Sequence, residues 1–151
     1  MKIPGILFLG QSNSVRTILA EAYLHQKCAG MFRVFSAGLE PADELDNSVT
    51  RVLQEQNMST EALEPKSVEL FLQPHAPEID TIICFSRQLI SALPASFMGG
   101  QQCVHWHIPA PVCEGADLKS VLRDTFADIR LRVDRLLAGG MLNIENVSSS
   151  A

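Results

Sequence analysis

Residues 10–17, Gly10-Gln11-Ser12-Asn13-Ser14-Val15-Arg16-Thr17, put polar side chains and an arginine where an apolar, strand-like run gives way to helical periodicity. Such a segment builds an oxyanion cradle. Successive backbone N–H groups and a helix N-terminus converge on one point, and a guanidinium closes the far side. All eight residues are candidate anion ligands, through their backbone N–H groups and the Arg16 side chain. What the segment lacks matters equally. Gly10 holds its first position, where a nucleophile would stand, and glycine has no side chain to attack with. The implied chemistry is binding of a phosphate-like anion with no evident attacking group.

Each residue in the segment also has a plainer reading. Arg16 is either a bidentate oxyanion ligand or a helix-start arginine in a surface ion pair. The helix dipole disfavours a cation in the first turn unless an anion lies nearby, which supports the first reading. Asn13 is of the type that tolerates a left-handed backbone, a structural role that preserves the curl of the loop. Ser12, Ser14 and Thr17 can donate to an oxyanion, but capping of the following helix is the simpler expectation.

No other residue is an obvious replacement nucleophile. Ser12 and Ser14 have no evident base, and an unactivated hydroxyl attacks poorly. Of the four cysteines, Cys28, Cys84, Cys103 and Cys113, none forms a CxxC pair, so reduced and mostly buried thiols are expected. Cys84 is the one candidate for a displaced thiol, because it closes an apolar run whose end belongs near the loop; burial as an inert thiol is the competing reading. Cys113, just past Pro111, is placed at the crevice rim. His105 and His107 flank Trp106 at strand alternation and share one face, but no carboxylate or cysteine completes a metal set. The reading calls for no metal and no cofactor.

The elements that position these residues follow from periodicity. Gly5–Gly10 reads as a strand buried on both faces. Helical spacing runs from Val15 to about Cys28, with Gly30 marking the stop. Residues 32–37 read as a second strand, and Val49, Val52 and Leu53 give the face of a second helix ending near Asn57. A short helix is expected over 66–72, a strand over 81–85, a helix over 87–93 ended by Pro94, and a last strand over 103–108. Residues 118–137 form a long amphipathic helix, and 139–151 read as a flexible tail after a single domain spanning 1–138. Strands separated by helices predict an α/β three-layer sandwich: a four-stranded parallel sheet with helices on both faces. In such sheets ligands sit beyond the carboxyl ends of the strands, where Gly10, Phe85 and Pro109 all fall.

The bulk numbers bound the partners. With 151 residues, 46% of them hydrophobic, the chain suits one globular domain. A formal net charge of −5 with twelve scattered Lys and Arg residues argues against nucleic acid. No apolar run reaches the roughly 18 residues of a membrane span. With no signal-peptide pattern at the start, the expected location is cytoplasmic. Part of the last helix's apolar stripe is the candidate face for a homodimer.

The octet resembles the phosphate loop of the low-molecular-weight protein tyrosine phosphatases and their relatives, the thioredoxin-coupled arsenate reductases: Cys, five residues, Arg, then Ser or Thr. Arg16 and Thr17 keep the end of that pattern and Asn13 its middle. Ala20-Glu21-Ala22 is similar to the family's first helix, Ser36-Ala37-Gly38 to its turn after strand two, and Lys66-Ser67 falls where a Ser-Lys pair is common. Residues 80–84 resemble the third strand. His105-Trp106-His107-Ile108-Pro109-Ala110-Pro111 is similar to the segment carrying the family's Asp-Pro. The ordered set spans residues 5–137 and implies the family fold.

The departures fall on the chemistry that the resemblance implies. The family's leading cysteine is Gly10 here, its general-acid aspartate is Ala110, a second loop cysteine is Val15, and a loop glycine is Ser12. Loss of an essential nucleophile typically removes about 10⁴–10⁶ in rate. The expectation is a degenerate active site that retains binding of a free oxyanion or a phosphorylated ligand. Two alternatives stand beside it: an active phosphatase or arsenate reductase with a displaced nucleophile such as Cys84, and a pure interaction or dimerisation module.

Overall fold

The computed structural model describes residues 3–111 and 117–139. Cys113 and the expected tail beyond Gly139 lie outside the described residues. Four strands, β1 (Gly5–Gly10), β2 (Arg33–Gly38), β3 (Thr81–Cys84) and β4 (Gln102–His105), form one sheet in the order β2-β1-β3-β4, with every pair parallel. The helices are α1 (Arg16–Lys27), α2 (Asn47–Glu55), α3 (Gln88–Ser91) and α4 (Leu118–Gly139), with a 3-10 turn at Val68–Phe71.

Strand β1 is central and buried throughout, as its unbroken apolar run requires. Its alternate side chains feed two cores. Ile6 and Phe8 pack with Ile18, Leu19, Val52, Leu53, Phe126 and Ile129 from α1, α2 and α4. Leu7 and Leu9 pack on the other face with Val68 and Phe71 of the 3-10 turn and Leu89 next to Leu93 around α3. The sheet is therefore the middle of three layers.

Three elements are shorter than periodicity suggests: the helix expected over 66–72 is only the 3-10 turn at Val68–Phe71. The helix expected over 87–93 is only the single turn α3. The strand expected over 103–108 stops at His105, because its partner β3 ends at Cys84, opposite His105. One further bond, from the Trp106 N–H to the Cys84 carbonyl at 3.0 Å, prolongs the pairing; then the Ile108 N–H bonds to the Trp106 carbonyl and turns the chain away. Trp106 is buried between Phe8 and Phe85, with ring centroids at 5.6 and 6.1 Å. His105 and His107 lie on its opposite side and touch one another, ring to ring, at 4.0 Å.

Candidate functional site

The loop between β1 and α1 wraps a small cavity of about 140 Å³, lined by all eight residues 10–17 with Phe85, Ala110 and Pro111. Four strand ends build it: β1 delivers Gly10, β2 ends at Gly38 directly behind the loop, Phe85 follows β3, and the Ala110–Pro111 rim follows β4.

The loop is held from outside by its carbonyls. The N–H groups of Leu39, Glu40 and Ala42 donate to the carbonyls of Gly10, Gln11 and Ser12 at 3.2, 2.8 and 2.9 Å. No peptide in the described chain is cis. In a trans peptide the N–H points opposite to the C=O, so the N–H groups of Gln11, Ser12 and Asn13 turn away from this belt. Belt residues 39–42 do not line the cavity. Gly38 makes the close approach possible. A Cβ there would lie 2.8 Å from the Gln11 carbonyl oxygen and 2.9 Å from the Asn13 nitrogen, both backbone atoms.

Asn13 is the internal brace. It takes a left-handed conformation, φ 50°, the role its residue type suggests. Its side chain is 1% exposed: Nδ2 donates to Thr17 Oγ1 at 2.8 Å and Ser36 Oγ at 2.9 Å, and Oδ1 accepts from the Lys66 N–H at 2.7 Å. Behind it, Ser36 Oγ donates to Glu21 Oε1, whose carboxylate also faces Lys66 Nζ at 3.5 Å. Burial pushes the Glu21 carboxyl above its ordinary range, against the pull of Lys66. Glu21 and Ser36 escaped the sequence reading as site residues. The available signal was a carboxylate amid the buried run of α1. The belt at 39–42 has no side-chain signature at all.

The hydroxyls do not cap α1 as their types suggest. Ser12 Oγ and Ser14 Oγ share a 2.7 Å hydrogen bond, and Thr17 Oγ1 accepts from Asn13. The N-cap is Val15, with no side-chain cap, so the first-turn N–H groups keep no competing internal acceptor from a side chain. Arg16 opens that turn half-buried. Its Nη1 donates to the Ile108 carbonyl at 2.8 Å, and its guanidinium lies 5.2 Å from the centre of the Phe85 ring. Among the described residues no carboxylate pairs with it, and burial pulls its pKa down. Among the described residues Arg16 is also the only charged one lining the cavity. A half-buried cation beside uncapped N–H groups is an arrangement that favours a bound anion.

Gly10 and Ala110 bring no reactive side chain to the cavity they line. A Cβ on Gly10 would meet Thr17 Cγ2 at 2.9 Å, so the Thr17 methyl crowds the space a nucleophile's side chain would enter. Ala110 stands exposed on the opposite rim. Cys84 is not brought to the cavity. It is fully buried among Leu7, Leu9 and Ile82, its thiol donates to the Val104 carbonyl at 3.4 Å, and burial pushes its pKa up to about 11. Such a thiol is protonated at neutral pH and a poor nucleophile. Among the described residues no group of three His, Cys, Asp or Glu side chains could hold a metal ion, and no helix is long and apolar enough to cross a membrane.

Comparison with known proteins follows the same lines. A family model described as low molecular weight phosphotyrosine protein phosphatase matches residues 5–147. No curated protein sequence matches the chain. The fold is similar to an arsenate reductase from Archaeoglobus fulgidus, at 25% identity and TM-score 0.68, over 88% of this chain and 98% of that one. It is also similar to the Erwinia amylovora tyrosine phosphatase AmsI, at 15% identity and TM-score 0.71, over 91% and 93% of the two chains. Vibrio vulnificus Wzb, solved in complex with benzylphosphonate, matches at 16% identity and TM-score 0.70, over 91% and 99%.

Proposed function

The chain belongs to the low molecular weight phosphotyrosine protein phosphatase family, and from that premise we propose that it binds a phosphate-like oxyanion or phosphorylated ligand at residues 10–17 without turning it over. One observation carries the reading. The braced loop, the uncapped helix start and the guanidinium of Arg16, which meets no carboxylate among the described residues, are all present around a position, Gly10, that has no side chain. The ligands are the loop N–H groups and the free donors of Arg16, which has five in all and gives one to Ile108. Among the described residues of the lining, Arg16 is the charged one and no carboxylate or thiolate stands beside it, which favours an anion. The apolar wall of Phe85, Ala110 and Pro111 suits the organic part of a phosphoester, and the benzylphosphonate bound to Vibrio vulnificus Wzb has that form.

Turnover needs an attacking atom and a proton for the leaving group. Gly10 and Ala110 supply neither. Cys84, the displaced candidate, sits in the wrong place and protonation state. The test is hydrolysis of p-nitrophenyl phosphate by the wild type and by a Gly10→Cys/Ala110→Asp double variant. The wild type is expected to be silent and the double variant to gain turnover. Turnover by the wild type, lost on thiol alkylation, would overturn the reading.

A further inference from the structure

A second cavity, about 550 Å³ and so roughly four times the volume of the cradle, opens between α1, β2 and the segment following α2. Its walls mix apolar and polar groups: Ala22, Val34, Met58 and Leu63 on one hand, Glu21 and His25 on the other. That volume falls within the roughly 300–1,000 Å³ typical of small-molecule sites, which are mostly apolar with a few placed polar groups. Glu21 is the placed group. Its contacts from Ser36 Oγ and Lys66 Nζ both reach Oε1, and the side chain lines the cavity. An ionised carboxylate only accepts, so a partner for Oε2 must bring the donor. Lys66, at 3.5 Å, is farther than the 2.7–2.9 Å or so of a charge-assisted hydrogen bond, so a closer donor can be accommodated, with His25 also facing the carboxylate.

We propose that this cavity is a second ligand site, taking a compact aromatic that carries an amidine or amine and donates to Glu21 Oε2. The cation meets the carboxylate, and the aromatic body lies against Ala22, Val34, Met58 and Leu63. Anions are disfavoured here by Glu21, so this site and the oxyanion cradle select opposite charges. The inference goes beyond the oxyanion reading and stands without it.

Benzamidine titrated into the full chain, followed by NMR, tests the proposal. Saturable shifts are expected at the Met58 methyl and at Ala22 and Leu63, half-complete below about 1 mM. Neutral benzamide, of the same shape, is expected to bind at least about tenfold more weakly. Glu21 also braces the loop, so the blocking variant is Ala62→Trp, at an exposed wall position of the cavity. It should keep the wild-type Tm and abolish the shifts. No saturable shift up to about 10 mM, equal binding of benzamide, unchanged shifts in Ala62→Trp, or shifts confined to residues 10–17 would each overturn it.

Discussion

At the scale of single residues, the site is decided by what Gly10 and Thr17 do to each other. A cysteine at position 10 would place its Cβ 2.9 Å from the Thr17 methyl, and turning that methyl aside would cost Thr17 its bond with Asn13. The double variant Gly10→Cys/Ala110→Asp is therefore expected to be a weak catalyst. Adding Thr17→Ser removes the methyl and keeps the hydroxyl; kcat should rise about tenfold over the double variant, equivalent to about 1.4 kcal/mol of relieved strain. Equal or lower kcat in the triple variant would show that crowding is not what limits it. Glu21 makes a second prediction. Burial raises its carboxyl above 4.5, so the folded chain holds that proton more tightly than the unfolded one. Its contribution to stability is full below about pH 4.5 and is lost as pH rises through the folded value. Denaturation of wild type and Glu21→Gln across pH should show the wild type losing ground as pH climbs from 4.5. A flat difference would mean that Lys66 fully offsets the burial.

Between elements, the close contact of β2 with the loop is the decisive packing. Gly38 ends β2 against the backbone of residues 11–13, and Gly38→Ala would drive a methyl to within 2.8 Å of a carbonyl oxygen that cannot move independently of the belt. The variant should lose about 1–3 kcal/mol of stability, read by denaturation, and at least about tenfold in phosphate affinity. Unchanged affinity would mean that the loop's shape does not depend on this contact. The strands and long helices were legible from apolar runs and 3.6-residue spacing. The stop of β4 at His105 was not, because it depends on where β3 ends. The belt at 39–42 was not either, since backbone donors meet backbone acceptors there and side-chain type carries no trace of the pairing. Capping by Ser12 and Ser14 was expected from residue type; their hydroxyls instead bond to each other, a choice made by the loop's curl.

For the whole molecule, the parallel sheet gathers four strand ends at one edge, and the cradle occupies that edge. This was legible in order from the sequence, because alternating strands and helices leave few topologies. The second cavity was invisible, since Glu21, Val34 and Leu63 meet only after folding. The chain has a net charge of −5, yet among the described residues its cradle presents one arginine and no carboxylate. That local reversal of sign is the strongest physical reason to expect an anion there. Calorimetric titration of inorganic phosphate into the wild type, with Arg16→Met as the control, measures it directly. The predicted result is a single saturable site, half-filled below about 1 mM and lost in Arg16→Met. Absence of saturable binding up to about 10 mM phosphate, or binding that Arg16→Met leaves unchanged, would contradict the account.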